Sequence, residues 1–117
     1  MKTLNLVILE GYVGSPLTDK EFSNGTRCVN LVVKTREFFG SKGDRKVEKN
    51  YHNCILWNTI GDEALNILKK GDAVRIMGKL KTKKFDKDGD IQYKTEVVVN
   101  EWTKLADNTQ EIEKDED

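Results

Sequence analysis

Apolar positions along the chain fall mostly into short alternating runs, the mark of strands with one covered face. Leu4 to Val13 is rich in Leu, Val and Ile, is disturbed by Gly11, and predicts the first strand. "GSPLT" then turns the chain, and Asn24-Gly25 within "TDKEFSNGTRCV" is a strong hairpin signal. Cys28 to Arg36 predicts the second strand, with Leu31 and Val33 on one side and Val32, Lys34, Arg36 and Phe38 on the other. "FGSKGDRKVEKN" has no period and is expected to be a long loop or a flexible hairpin tip. Alternation returns in "NYHNCILWNT", residues 50–59. Tyr51, Asn53, Ile55 and Trp57 share one face, and His52, Cys54 and Leu56 share the other.

Residues 60–68 change period. Ile60, Ala64, Ile67 and Leu68 form one helical stripe, Asp62 and Glu63 are expected in the first turn, Lys69 and Lys70 in the last, and Gly71 as the stop. "DAVRIMGKLKTKKF" alternates again, with Val74, Ile76 and Leu80 inward and Arg75, Lys79, Lys81, Lys83 and Phe85 outward. Asp88-Gly89 makes a turn, and "IQYKTEVVVNEW" returns as the last strand. Five main strands with one short helix between strands 3 and 4 match an all-β, five-stranded Greek-key barrel of the oligonucleotide-binding (OB) type. Residues 1–105 are expected to form this domain, and 106–117 a disordered acidic tail.

Composition divides the chain by charge. Formal net charge is zero, yet residues 107–117 sum to −5 and residues 1–106 to +5. A basic body with an acidic end favours an anionic partner for the body. The end is expected either to compete with that partner or merely to solubilise. The start, "MKTLNLVILEG", is broken by Asn5 and Glu10 and has no small-residue cleavage site, so no secretion signal is expected. No segment reaches the roughly 20 apolar residues of a membrane helix. With Cys28 and Cys54 as the only cysteines, reduced thiols and a cytoplasmic location are expected.

Catalysis finds little support. The single histidine, His52, has the parity of Cys54 and Leu56, which favours a core or interface role over a general base. His52 and Cys54 lack the further ligands of a structural zinc site. "DKDGDI" resembles a calcium loop, but its glycine falls at the fourth position and Val97 stands where the closing glutamate belongs. No metal, cofactor or enzymatic activity is expected.

A binding surface fits better. Phe38 lies in step with Lys34 and Arg36, Tyr51 with Trp57, and Phe85 with Lys79, Lys81 and Lys83. Any one ring is most simply an ordinary strand residue. Four rings tell another story, because a core has no use for lysines in register with them. Unpaired nucleobases stack on rings while their phosphates attract cations. Phe22 and Phe39 are assigned to packing or hairpins, and Trp102 to the core or rim.

The motifs "NLVILEGYVGSPL", "NCILWN", "ILKKGDAVRIMGKLKT" and "YKTEVVV" together resemble the bacterial and phage single-stranded DNA-binding protein (SSB) family over about Leu4 to Val99. The resemblance implies an OB-fold that assembles, usually as a homotetramer, and wraps single-stranded DNA in the bacterial nucleoid or a phage-infected cytoplasm. It implies stacking roles for Phe38, Tyr51, Trp57 and Phe85, and basic roles for Lys70, Lys81, Lys83 and Lys84. With the outward Arg75, these complete the expected binding set. Lys84 breaks the alternation, so a twist or bulge is expected there. Asn53 and Thr59 are neutral where many relatives are basic, implying lower affinity. Family tails end in a hydrophobic tip that grips replication and repair proteins. Here Ile112 is the only large apolar residue of "EIEKDED", which leaves that recruitment doubtful.

The expected function is coating of single-stranded DNA in replication, recombination and repair, with little sequence preference. The alternatives are a primosomal-type adaptor acting mainly through protein contacts, against which the four rings argue, and an RNA chaperone on the same fold.

Overall fold

The computed structural model describes residues 1–108. The alternating runs become strands β1 (Val7–Val13), β2 (Thr18–Glu21), β3 (Arg27–Phe39), β4 (Lys46–Trp57), β5 (Ala73–Lys87) and β6 (Asp90–Ala106), with helix α1 (Asn58–Ile67) between β4 and β5. The sheet runs β1-β5-β6-β4-β3-β2, and an additional β1–β3 pairing closes five of the six strands into a barrel. All pairs are antiparallel except β4 with β6. The short β2 lies outside the ring, paired to the start of β3.

Closure depends on two close approaches. A Cβ on Gly11 would stand 2.2 Å from the Lys34 carbonyl oxygen, and one on Gly78 would stand 2.0 Å from that of Val98. Only glycine lets the backbones cross so tightly. The β5–β6 register shifts beside Gly78, between Met77 and Gly78. This is where the ring turns a corner.

The inward sides of these strands build the core: Val13, Val29, Leu31, Val33, Cys54, Leu56, Val74, Ile76, Val97 and Val99 are buried, with Ala64 and Leu68 from the helix segment. Each fully buried Val, Leu or Ile contributes about 1.5–3 kcal/mol. Trp102 packs against this core, and its Nε1 donates to the Ile60 carbonyl at 3.2 Å.

Several expectations need correction. The region 39–50 is largely strand: β4 begins at Lys46, leaving only Gly40–Arg45 as the loop, and the pairs Phe38↔Val47 and Phe39↔Lys46 carry the ladder to its tip. Backbone hydrogen bonds to β3 hold these polar residues in place without an apolar pattern. The helix begins earlier than its apolar stripe, at Asn58, whose φ is +55° and whose Oδ1 accepts from the Arg27 N–H at 3.1 Å. Asp62 and Glu63 consequently fall beyond the first turn, and Lys69 and Lys70 lie past the helix end. Ile67 is exposed, as is Leu80, 48% accessible on the side expected to face inward. Leu80 lies where β5 and β6 have run past the barrel as a two-stranded arm, with its backbone held by the Asn5 side chain at 2.8 and 2.9 Å.

That arm ends in the expected Asp88-Gly89 turn, with positive φ at both residues and the Gly89 N–H bound to Asp86 Oδ1 at 3.0 Å. At the opposite end of the barrel, Asp72 is buried beneath the helix corner. Its carboxylate accepts the N–H groups of Lys69 and Asn108, each at 2.8 Å, and pairs with Lys104 at 3.4 Å. Burial pushes its pKa upward, but these donors outweigh burial and hold it below the ordinary value. Ala106 is the last residue of β6 and the chain is fastened as far as Asn108, so residues 106–108 of the expected tail 106–117 are ordered, and the rest of that tail lies outside the described residues. Among the described residues, no helix is long and apolar enough to cross a membrane.

Candidate nucleic-acid interface

Cross-strand partners place their side chains on the same face of a sheet, so the register shows which residues share the outside of the barrel. The outer β3–β4 pairs are Phe38↔Val47, Arg36↔Lys49, Lys34↔Tyr51 and Cys28↔Trp57. The Ile55↔Val98 pair carries that face across to β6. From there Val98↔Lys79, Glu96↔Lys81, Lys94↔Lys83 and Gln92↔Phe85 carry it onto β5. The four sequence-selected rings and Lys34, Arg36, Lys79, Lys81 and Lys83 therefore lie on one continuous outer face. Arg75 joins it through Glu10 and Tyr12, the latter opposite Lys34.

The rings differ in exposure. Phe38 is 57% accessible, Tyr51 59% and Phe85 41%, while Trp57 is half-buried against Phe22. Ile55, of the same parity, is buried. On the same face, burial raises the Cys28 thiol above its ordinary value, with Lys83, Glu96 and Lys20 adding smaller opposing charge effects.

The cations are not equivalent either. Lys79, Lys81 and Lys84 are exposed without an ion pair among the described residues. Arg75 is held by Glu10 at 2.6 Å, and Lys83 by the buried Glu96 at 3.2 Å, with Lys94 on its other oxygen at 3.7 Å. Glu96 Oε1 has no hydrogen bond in spite of its short distance to Lys83, so that contact is charge attraction with poor angles. Arg36 lies over the Tyr12 ring at 5.2 Å. Lys70 stands apart from the outer ladder, in the connection after the helix. Lys84 lies on the opposite face of the arm, across from Tyr93, and the register there runs without the expected bulge.

Sequence reasoning left out several groups that the structure brings to this face. Arg45 stacks over Phe38 at 5.3 Å, Tyr12 sits beside Lys34, and Phe22 lies against Trp57 with ring centroids 6.0 Å apart. The parity of Tyr12 within the first strand was the available signal for it. Arg45 gave none, since it lies in the loop.

His52 turns inward, half-buried, with Nε2 2.9 Å from Thr35 Oγ1. Cys54 is fully buried, and burial pushes its thiol up to about 12. Cys28 sits on the other face of the sheet, and both cysteines are free thiols. Among the described residues, no cluster of three or more His, Cys, Asp or Glu side chains is arranged to hold a metal ion. The arrangement offers stacking planes, a row of ammonium groups and no activated nucleophile. It suits a ligand with flat unpaired faces and a repeating negative charge.

Known proteins share this architecture. A structure described as "Plasmodium falciparum SSB complex with ssDNA" superposes with a TM-score of 0.76 at 25% identity, covering 91% of this chain and 96% of the other. A deletion mutant of the single-stranded DNA binding protein from Thermus aquaticus superposes with a TM-score of 0.76 at 21% identity, covering 87% of this chain and 50% of that one, a likeness of fold. Single-stranded DNA-binding protein 1 of Chlorobaculum tepidum is 34% identical over 106 residues, which span 88% of this chain and 65% of the relative. The model of the Single-strand binding protein family matches residues 4–105, nearly the whole described chain, and the chain belongs to that family.

Proposed function

We propose that the chain binds and coats single-stranded DNA with little sequence preference, serving replication, recombination and repair, and that it acts without catalysis. One observation carries this reading: strand register gathers Phe38, Tyr51, Trp57 and Phe85 with Lys34, Arg36, Lys79, Lys81 and Lys83 on one outer face, leaving three of the rings well exposed. Bases stack on the rings, and the lysines neutralise phosphates and release counterions. The Chlorobaculum relative's name and the DNA-bound Plasmodium structure support the same ligand.

In this reading residues 1–105 are the binding domain, and the strand order is that of a Greek-key OB barrel. Lys84 and Lys70 contact DNA only if the strand wraps beyond the outer ladder. Arg75, tied to Glu10, contributes least. The protein works in the cytoplasm as a homo-oligomer. Supporting assembly, β1 has β5 along one edge and meets β3 only at Tyr12 and Val13, and Ile8 within it and Leu4 and Leu6 just before it are exposed. An apolar strand edge of this kind is suited to pairing with another copy. Light scattering that reports a monomer would refute this part.

The direct test is intrinsic fluorescence. Oligo(dT) should quench the protein strongly, an equal amount of duplex should not, and Trp57→Phe should remove most of the response, leaving Trp102. Quenching by duplex and single strand alike would overturn the reading.

A further inference from the structure

Phe22 closes β2's hairpin, in a segment too polar to mark itself as part of a binding face: all four residues of β2, "TDKE", are exposed. Register places Lys20 opposite Cys28, and Cys28 is opposite Trp57. Lys20, and Phe22 two residues on, therefore continue the outer face beyond Trp57. The Lys20 ammonium lies 5.2 Å from the Phe22 ring centre. Phe22 stacks on Trp57 at an interplanar angle of 28°, yet 38% of it stays exposed. An open recess between Phe22 and Trp57 is rimmed by Ser23, Asn24 and Thr26.

The other side of β2 is built to hold this ring still. Arg27 pairs with Asp19 at 3.3 Å, Glu21 at 3.9 Å and Asp62 of α1 at 3.3 Å, tying the hairpin to the helix. The turn is fixed by Phe22 N–H to Thr26 carbonyl at 2.8 Å, Gly25 N–H to Phe22 carbonyl at 2.9 Å, and Thr26 N–H to Asn24 Oδ1 at 3.0 Å. A ring used only as packing would be covered, and a hairpin used only as a connector would need no such bracing. The acidic residues of β2 are turned toward Arg27, and the cation and ring are turned outward. This is the same alternation of ring and cation found on β3 and β5.

We infer that Phe22, with Lys20, is a fifth stacking position, which extends the track for single-stranded DNA from Trp57 across the β2–β3 hairpin. The inference rests on the function proposed above. A base leaving Trp57 meets the edge of Phe22, with Ser23 and Asn24 available for polar contacts and Lys20 for the next phosphate.

The test measures affinity for oligo(dT) of increasing length in Phe22→Ala, Phe22→Leu and Phe22→Tyr, with Trp57→Ala alongside. One stacked base corresponds to about a 5- to 140-fold change in affinity. Phe22→Ala and Phe22→Leu should both lose about that much on the longer oligonucleotides and less on the shortest, while Phe22→Tyr keeps the wild-type value. Leucine restores apolar volume without a stacking plane, so wild-type affinity in Phe22→Leu would reduce Phe22 to a packing residue and overturn the inference. Wild-type protein irradiated with 5-iodouracil-substituted oligo(dT) supplies a readout independent of variant folding. A crosslink to the peptide holding Phe22 supports the inference, and crosslinks confined to the other rings overturn it. Should Trp57→Ala also bind unchanged, it is the proposed function that fails.

Discussion

The barrel and the β5–β6 arm that projects from it obey the same alternation with opposite results. Inside the barrel, alternation buries Val29, Leu31 and Val33 of β3 and Cys54 and Leu56 of β4 in the core. In the β5–β6 arm the same parity leaves Leu80 and Tyr93 exposed on a face that none of the described residues covers, while Phe85 looks out from the other. Alternation states which side a residue is on. Only topology states whether that side is roofed. The barrel is built for stability, and the arm presents two surfaces on one backbone ladder.

The sharpest way to break this comparison is a pair of truncations. Leu56→Ala should cost about 2–5 kcal/mol of unfolding free energy by denaturant titration, because the site is closed and cannot collapse. Leu80→Ala should cost less than about 1 kcal/mol. Equal losses would show that the arm's second face is also covered.

The next largest effect is on binding. Trp57→Ala and Phe85→Ala should each weaken oligo(dT) binding by about 1–3 kcal/mol. Phe85→Ala should leave the melting temperature unchanged. Trp57→Ala should lower it modestly, since Trp57 braces Phe22. A large fall in both would make the arm part of the folded core.

Asp72 separates the two regions by pH. Its folded pKa lies below the ordinary 3.8, so its contribution is complete above the unfolded value and disappears as pH falls through the folded one. Asp72→Asn should thus cost stability at neutral pH and flatten the acid limb of the stability curve below about pH 4. An unchanged acid limb would remove Asp72 from the account of the barrel's closed end.

The smallest effect concerns single lysines on the arm. Lys81→Ala should lower the salt-dependence slope of single-strand binding by about 0.7, the value of one phosphate contact. Lys83→Ala should lower it less, because Lys83 is already held by Glu96. The reverse order would mean that DNA displaces Glu96 from Lys83.

These results also mark what was readable beforehand. The five barrel strands, the helix and the two glycine turns were legible, because each is written as periodicity or as a residue type that a turn demands. The first half of β4 was not, since Lys46, Glu48 and Lys49 stay extended only by pairing with β3. The helix start was missed because it depends on Asn58 adopting a left-handed conformation. For the site, parity found the four rings, since stacking residues must alternate with what they expose. Parity could not find Phe22, which joins the face two residues beyond Lys20, the partner of Cys28, nor the pairing of Lys83 with Glu96, which depends on the β5–β6 register that sets them diagonally. The extent of the chain beyond 109 that carries the acidic charge stands apart from all of these comparisons.

The placement of the two thiols has a practical consequence. Cys54 is sealed in the core with its thiol pushed up to about 12, whereas Cys28, its thiol also raised by burial, is partly open on the outer face, directly across the ladder from Trp57. A thiol-reactive dye would mark one position only, without any engineering. The protein thus carries a built-in attachment point for a reporter, a strand's width from its central indole.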